Sequence, residues 1–248
     1  IHSGGTDLTF PHHENEIAQT EAATGKPFVK YWIHNGYLLI DKEKMSKSLG
    51  NFLTARAALE QFPARAIRFF MLSAHYRSPI NFSEDSLHQA RAAMDRLDNC
   101  WSDLRYAIDS RKKGETGEGK ELSARFADLE KKFRAVMDDD FNTAGAMGVI
   151  FDGVKIINTY LKENEILDME ALRSAENFFV KIDSVMGLLP AEADGGDEEQ
   201  EIEKLIAERN EARKNRDFGR SDEIRDDLAA RGIILEDTPD GTKWKKKA

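Results

Sequence analysis

The first segment that could do chemistry is Phe-Pro-His-His-Glu-Asn-Glu at residues 10–16. His12 and Glu16 are four residues apart, so on a helix both side chains lie on one face. An imidazole nitrogen and a carboxylate oxygen placed in this way can share a metal ion such as Zn²⁺. The same spacing is also that of an ordinary His–Glu pair on a helix surface, and no cysteine lies nearby to complete a zinc shell. The spacing alone therefore leaves both interpretations open.

The second segment is Lys-Met-Ser-Lys-Ser at residues 44–48, followed by Leu-Gly-Asn. Lys44 and Lys47 would bring two compact cations beside small hydroxyl side chains, a combination that suits phosphate groups. Negative charge builds on the phosphates of ATP when its α-phosphorus is attacked, so such a loop could act mainly in the transition state. A solvated basic loop without a ligand is the alternative.

The elements that position these segments can be predicted from residues 1–50. The run Tyr37–Ile40 is a short buried strand between the turn signals Asn35-Gly36 and Asp41-Lys42. A helix is expected over Glu14–Thr24, after Pro11. Residues 1–50 are therefore predicted to mix short strands, a helix and Gly-rich loops, as α/β domains do.

Residues 51–190 are predicted to form helix after helix. The boundaries are marked by capping residues such as Ser83 and Asp168 and by Gly187 at one end. The first expected helix, Ala64–His75, has an apolar face of Ile67, Phe70, Met71 and Ala74. Four more helices are expected: a long one from Ser83 to Ser110, then Leu122–Met137, then one from Asn142 or Thr143 to Lys162, and finally Asp168–Met186. Short connections between such helices favour an antiparallel bundle.

The last part of the chain has a different composition. Residues 191–201 are acidic and contain glycine, which predicts a linker. Residues 202–248 are expected to hold two helices, Glu201–Asp217 and Gly219–Arg231, then strands at Ile233–Leu235 and Thr242–Lys245. The predicted fold is thus mainly α: an α/β remnant, a helical bundle, and a small α-helical domain with a β-hairpin.

Composition limits the partners. The formal net charge of −9 argues against non-specific binding to nucleic acid, so binding to RNA would need local basic patches. Two such clusters are present: Arg209, Arg213, Lys214, Arg216 and Arg220, and then Lys243, Lys245, Lys246 and Lys247. No apolar run approaches membrane-spanning length, and the single Cys100 suits a reducing cytosol. The start at Ile1 resembles the end of a strand, so we expect residues upstream of it.

Together these motifs resemble a known family. Lys-Met-Ser-Lys-Ser is similar to the second signature of class I aminoacyl-tRNA synthetases, and the match is complete. Gly-Gly-Thr-Asp followed by Phe-Pro-His-His-Glu-Asn-Glu resembles the cysteinyl-tRNA synthetases in particular. The similarity continues through Trp32, residues 75–78, residues 137–143 and residues 241–244, and so covers essentially the whole chain.

The resemblance implies a cytoplasmic, monomeric ligase that uses ATP with Mg²⁺ to attach L-cysteine to tRNA(Cys), with one Zn²⁺ per subunit. His12 and Glu16 match two zinc ligands of the family, whereas the two cysteine ligands and the first class I signature would lie upstream of Ile1. Lys44 and Lys47 match the signature lysines that contact ATP. The loop of Gly4, Gly5 and Asp7 matches the loop expected to face the nucleotide. We therefore expect weak zinc binding and no catalysis by this chain alone.

The resemblance also divides the chain. The resemblance implies that residues 1–50 are the C-terminal part of a Rossmann-like α/β catalytic domain. Residues 51–190 would be the bundle that lies along tRNA, and residues 202–248 would be the anticodon-binding domain. Lys243, Lys245 and Arg213 are expected to contact tRNA. Trp244 would either stack on a base or pack against the helices of its own domain.

Two other functions would account for part of the sequence. A cysteine ligase that acts on an aminosugar would share the catalytic core but lack a domain like residues 202–248. A tRNA-binding module without catalysis would have no use for the signature lysines. Asp138, Asp139 and Asp140 are interpreted as a loop and capping cluster, because three consecutive carboxylates cannot share one helix face.

Overall fold

The structure is a computed structural model that describes residues 1–40, 43–44, 54–110, 114, 119–190, 197–238 and 241–246. It comprises two compact units, Ile1–Met94 with Asp128–Asp152, and Asp95–Ala127 with Gly153–Ala248. About 70% of the chain is helical, which confirms the mainly α prediction. No helix within these residues is both long and apolar enough to cross a bilayer. The prediction of separate domains at 1–50, 51–190 and 202–248 stays a prediction.

Among the described residues, the first unit contains two small sheets. Strand β1 (His2–Gly5) pairs in parallel with β2 (Trp32–Asn35), and helix α1 (Glu14–Thr24) connects them. Strand β3 (Leu38–Ile40) lies between β4 (Glu43–Lys44) and β5 (Ile80–Phe82), antiparallel to the first and parallel to the second. Parallel strands need a crossover, and α1 supplies it, as expected for the remnant of an α/β domain.

The remaining helices follow the predicted order closely. They are α2 (Ala55–Gln61), α3 (Ala64–Leu72), α4 (Glu84–Ser110), α5 (Gly119–Asp138), α6 (Thr143–Glu163), α7 (Met169–Met186), α8 (Asp197–Lys214) and α9 (Phe218–Ala230). The predicted caps are present. The Asp168 carboxylate accepts hydrogen bonds from the amides of Glu170 and Ala171, and Gly187 ends α7 in the left-handed conformation.

Two local predictions were wrong. Helix α3 ends at Leu72 instead of His75, and its buried residues are Ala66, Phe69 and Phe70, whereas Met71 is 48% exposed. Helix α8 begins at Asp197, inside the predicted linker 191–201, whose residues 191–196 lie outside the described residues. Acidic residues are favourable in the first turn of a helix, where the peptide dipoles present positive charge, so the acidic composition there did not exclude a helix.

The terminal hairpin pairs β6 (Ile233–Thr238) with β7 (Gly241–Lys246) in antiparallel register. It packs on α8 and α9 through a small apolar core, against which Trp244 is also packed; the core residues are Ile202, Ile206, Ile224, Leu228 and Ile233. These apolar side chains recur at helical spacing on α8 and α9. The predicted small domain of two helices and a hairpin is therefore the arrangement observed.

A buried ion pair joins the hairpin to α8. The Arg209 side chain is only 8% exposed, and its two terminal nitrogens donate to the two carboxylate oxygens of Asp237, at 2.8 and 3.0 Å. Arg213 adds a third hydrogen bond to Asp237 at 2.6 Å, and the Thr242 hydroxyl donates a fourth. The hydrogen bonds from Arg209, followed by those from Arg213 and Thr242, hold the pKa of Asp237 well below its usual range.

We expect Asp237→Asn to lower the free energy of unfolding of the terminal domain at pH 7 by about 1–3 kcal/mol, because Arg209 would be left buried without its charged partner. A carboxyl group whose pKa is lowered on folding stabilises the protein above its unfolded pKa, near 3.9, and loses this effect as the pH falls below it. The difference between the parent and the variant should therefore shrink on acidification below about pH 4. Amide hydrogen exchange of residues 202–246 measures it.

The matched control is Asp226→Asn, because Asp226 is 71% exposed and its pairing with Arg225 lies on the surface. Surface pairs contribute little, so this variant should stay within about 0.5 kcal/mol of the parent. Equal stability of the two variants at pH 7 would contradict a role for Asp237 in holding the hairpin.

Candidate functional site

The carboxyl ends of β1 and β2 meet at one edge, since the two strands are parallel and Gly5 lies opposite Asn35. Gly4 and Gly5 end β1, and Asp7 follows in a single turn of 3₁₀ helix, Thr6–Leu8. A methyl group added at Gly4 would lie 2.9 Å from an imidazole carbon of His13, and one at Gly5 would collide with the Asp7 carboxylate. In the predicted nucleotide-facing loop, Gly4 and Gly5 thus have no side chain at the points where His13 and Asp7 come close to the backbone.

A cluster of imidazole and indole rings lies next to this loop. His2 from β1 contacts Glu16 of α1, with 2.8 Å between Nε2 and the carboxylate oxygen Oε2. His13 is 4% exposed, and its Nδ1 lies 2.8 Å from Nε2 of His34. The ring of Trp32 stacks on His34 with an angle of 7° between the planes. We call His2, His13, Glu16, Trp32 and His34 the imidazole cluster.

Three members of the cluster could hold a metal ion. One potential ligand atom from each of His2, His13 and Glu16 lies within 4.8 Å of the other two, and no other such group was found among the described residues. Two imidazole nitrogens and a carboxylate oxygen are ligand types that Zn²⁺ prefers, and they would supply three of its four tetrahedral positions. The contact of His13 with His34 resembles the outer hydrogen bonds that orient metal-bound histidines.

His12 lies outside this group and is exposed. Helix α1 begins at Glu14, after residues 9–13, in which Phe10 alone has non-helical backbone angles. The predicted spacing of His12 to Glu16 did not bring His12 into the group of converging ligand atoms. The assignment of His12 and Glu16 as zinc ligands stays a prediction, and the donor set that converges here fits zinc without His12.

The signature lysines are only partly described. The backbone of Lys44 belongs to β4 and pairs with Leu39, so the signature segment starts directly beside the three-stranded sheet. Lys47 lies outside the described residues, as does the side chain of Lys44. Their predicted contacts with ATP stay predictions.

The residues predicted to contact tRNA lie in the terminal domain. Arg213 is half exposed and donates to Asp237. Trp244 is half-buried against the apolar core and donates its indole N–H to Glu203 at 2.8 Å, so the packing alternative accounts for this residue. Lys243 and Lys245 pair through their backbones with Glu236 and Ile234 on β6.

The acidic segment 138–140 is tied to a neighbouring loop of the first unit. The hydroxyl of Tyr76 donates to Asp140 at 2.6 Å, and Nε of Arg77 donates to the same carboxylate at 2.5 Å. These bonds, Arg77 first, lower the pKa of Asp140 to about 2. Its interpretation as a loop residue is consistent with this contact. Asn142 accepts a hydrogen bond from the amide of Gly145 and so caps α6.

Three segments of the chain match models of known protein families. Residues 1–92 match the family model of the class I (C) tRNA synthetase catalytic domain, 132–190 that of the DALR domain, and 196–244 that of the cysteinyl-tRNA ligase anticodon binding domain. The cysteine–tRNA ligase of Brevibacillus brevis is 52% identical over 100% of the chain, and that of Geobacter sulfurreducens is 50% identical over 100%. The chain belongs to the cysteinyl-tRNA synthetase family. It spans about half the length of these relatives, 53% and 54% respectively.

A solved structure extends the likeness at the level of fold. The LeuRS of Agrobacterium radiobacter K84, in a ternary complex with tRNA and LeuAMS, aligns with 75% of this chain and 25% of its own, at a TM-score of 0.61. The identity is 19%, so this likeness shows the fold alone. Membership of the cysteinyl-tRNA synthetase family rests on the family models and on the relatives.

Three members of the imidazole cluster, His2, His13 and His34, were missed at the level of sequence. Two of them lie on neighbouring strands, where Gly4 is opposite His34 and His2 is opposite Trp32. Parallel pairing of the two segments could have suggested that these rings meet. Nothing in the sequence decides whether His12 or His13 is buried, because the two are adjacent and the contact of His13 with His34 joins residues 21 apart in the chain.

We expect this chain to bind Zn²⁺ or Co²⁺ weakly, since at most three protein ligands converge. If His13 is a ligand, His13→Gln should lower the affinity at least about ten-fold, the lower end of the range for altered metal surroundings. The matched variant His12→Gln should leave the affinity unchanged. Titration of an untagged chain, followed by the absorption of Co²⁺ and by competition with Zn²⁺, measures both.

If His12→Gln lowered the metal affinity and His13→Gln did not, His12 would be the ligand, as the family resemblance predicts. Circular dichroism of each variant separates loss of a ligand from loss of the fold, because His13 is buried.

Proposed function

We propose that a full-length protein containing this chain is a cysteine–tRNA ligase of cytoplasmic protein synthesis. It would activate L-cysteine with ATP to cysteinyl-adenylate and transfer the cysteinyl group to tRNA(Cys). The observation that carries the proposal is the order of three family segments on one chain, a class I catalytic segment, a DALR segment and a cysteinyl anticodon-binding segment. The identity to cysteine–tRNA ligases of about 50% over the whole chain supports it.

In the first step the substrate carboxylate attacks the α-phosphorus of ATP, and pyrophosphate leaves. Lys44 and Lys47 would stabilise the charge that develops on the leaving phosphates. Gly4 and Gly5 would let the nucleotide approach the backbone at the carboxyl ends of the parallel strands, the usual place for a ligand in such sheets. Asp7 would accept a hydrogen bond from the ribose or the base.

In the second step the terminal ribose hydroxyl of tRNA attacks the carbonyl carbon of the adenylate, and AMP leaves. The protein forms no covalent bond in either step, so positioning and charge stabilisation would supply most of the catalysis. The helical residues 51–190 would lie along the tRNA, and residues 202–248 would hold its anticodon.

Discrimination between cysteine and serine needs more than shape, because the two amino acids differ by one atom. A Zn²⁺ ion, when bound, would supply a bond to the thiolate of cysteine that a neutral hydroxyl cannot match. In this chain Glu16 would contribute to holding it, with His12 as family resemblance implies or with His2 and His13 as their convergence favours. Mg²⁺ would accompany ATP.

The chain by itself is proposed to bind tRNA without catalysing either step, because the first class I signature is not in its sequence. The match of residues 196–244 to an anticodon-binding domain weighs against an aminosugar ligase. For the isolated chain, a tRNA-binding module is the function that remains.

In the full-length protein, we expect Lys47→Ala to lower kcat for ATP–pyrophosphate exchange about 100-fold, the loss typical of one group that stabilises transition-state charge. The KM for ATP should change much less, because the charge develops only as pyrophosphate leaves. Lys131→Ala, which removes an exposed lysine of α5 paired with Asp128, is the matched control and should retain full activity. Unchanged exchange with Lys47→Ala would remove this lysine from the mechanism.

We expect the 248-residue chain to bind a cysteine tRNA transcript more tightly than the same transcript with an altered anticodon, at fixed moderate salt. Each altered base should weaken binding by about five-fold or more if it is read by stacking or hydrogen bonds. Fluorescence anisotropy with labelled transcripts measures this. Equal binding would mean that only backbone charge is recognised, and residues 202–248 would then lose the role of anticodon reader.

A further inference from the structure

The carboxylate of Asp140, in the connection between α5 and α6, contacts three side chains of the turn at residues 75–79. The hydroxyl of Tyr76 donates to Oδ1 at 2.6 Å, and Nε of Arg77 donates to Oδ2 at 2.5 Å. Nε2 of His75 lies 3.9 Å from Oδ2, and the His75 ring stacks on the ring of Tyr76. An ionised carboxylate can accept at both oxygens, and bonds to a charged group are stronger than those between neutral groups. Asp140 therefore joins the α5–α6 connection to a turn more than sixty residues earlier in the chain.

The backbone that presents this carboxylate is unusual. Among the described residues, the non-glycine residues with positive φ are Asp140 and Phe141, both at 55°, and Arg216 at 61°. Aspartate adopts the left-handed conformation more readily than most residues, but for a bulky residue such as phenylalanine it is an outlier. Burial does not compensate for it, because Phe141 is 58% exposed. The consecutive pair is the kind of backbone strain that clusters at functional sites, so the position of Asp140 invites a functional explanation.

On its other side, the same turn is bonded to the residues just before β3. The amide of Gly36 donates to the carbonyl of Tyr76 at 2.8 Å, and the amide of Ile80 donates to the carbonyl of Tyr37 at 3.0 Å. A methyl group added at Gly36 would lie 2.4 Å from the carbonyl carbon of Ser78, so the two backbones approach so closely that only glycine fits. A displacement of the turn would therefore displace the start of β3.

Strand β3 leads directly to the signature segment. Its Leu39 pairs with Lys44, the first signature lysine, and its other edge pairs with β5, which follows the turn. The turn, β3 and the backbone of Lys44 thus form a continuous set of contacts that begins at Asp140. Catalysis by charge stabilisation depends on position, and a displacement of about 1 Å can lower a rate about 100-fold.

We propose that Asp140 is a positioning residue for the signature lysines and that it acts through the turn of residues 75–79 and strand β3. By accepting from Tyr76 and Arg77, its carboxylate holds the turn against Gly36 and so fixes where the signature segment begins. The inference rests on the proposed function, in which Lys44 and Lys47 stabilise the leaving phosphates. It gives Asp140 an effect on the chemical step in addition to its place in the loop.

The test uses the full-length protein and cysteine-dependent ATP–pyrophosphate exchange. Asp140→Asn is suitable because asparagine also adopts the left-handed conformation readily, so the backbone is retained. One carboxylate oxygen becomes an amide nitrogen, which donates, so either Tyr76 or Arg77 loses its acceptor. We expect kcat to fall about ten-fold. The KM for ATP should change by less than about two-fold, because the charge on the phosphates develops only as pyrophosphate leaves.

Two further variants accompany Asp140→Asn. Tyr76→Phe keeps the ring and removes one hydrogen bond to Asp140, so kcat should fall about three-fold with little change in KM. Asp128→Asn is the matched control, because it removes an exposed carboxylate of α5 that pairs with Lys131 on the surface. It should have the kcat of the parent. Thermal unfolding of each variant shows whether the fold is retained.

Combination with Lys47→Ala separates positioning from a general effect on the fold. If Asp140 acts through the signature lysines, adding Asp140→Asn to Lys47→Ala should lower kcat by less than about three-fold, because only Lys44 of the pair is left to be displaced. A defect that is independent of the lysines would instead multiply, and the double variant would lose a further factor of about ten.

Parent-like kcat in Asp140→Asn would overturn the inference and leave the proposed function intact. A further loss of about ten-fold in the Lys47→Ala background would also overturn it, because Asp140 would then act on something other than the lysines. A lower unfolding temperature with parent-like kcat in both Asp140→Asn and Tyr76→Phe would reduce Asp140 to a structural residue. Absence of exchange by the parent would remove the proposed function, and the inference with it.

Discussion

The parallel pairing of β1 with β2 is the interaction on which the glycine loop and the imidazole cluster depend. It sets Gly4 opposite His34 and brings His2 beside Trp32. Because α1 must cross from the end of one strand to the start of the other, it brings Glu16 into contact with His2. The turn before α1 buries His13 against the rings of His2 and Trp32. Without this register, the backbone of Gly4 and Gly5, the imidazole rings and the carboxylate of Glu16 would not lie next to one another.

The terminal domain is held together in a different way, by a small core and an ion pair. It has a small apolar core, and a buried arginine joins the hairpin to α8 through Asp237. That arrangement uses several charges of a basic segment internally, so a count of cations overstates what can meet RNA. Among the described residues, Lys214 and Arg216 form no ion pair, and they lie at the end of α8 and in the turn that follows it. The stability of the hairpin and the proposed binding of tRNA would therefore depend on different members of one basic cluster.

Helix boundaries were largely predictable, because caps are local. Asp168 accepts from amides two and three residues ahead, and Gly187 adopts a conformation that other residues avoid. The apolar residues that recur at helical spacing on α4 are buried, from Leu87 to Trp101. Predictions failed where a few residues decide the outcome, as at Met71 near the end of α3 and at the early start of α8.

The sequence by itself determined the family, the order of the segments and the identity of the signature lysines, because these are encoded in contiguous motifs. Only the tertiary structure decided which of two adjacent histidines is buried and which of two aromatic residues, Trp244 or Phe218, remains exposed. Those choices depend on contacts between segments distant in the chain, such as His13 with His34 and Trp244 with Glu203. Spacing along the chain carries no information about such contacts until the strands and helices that hold them have been paired.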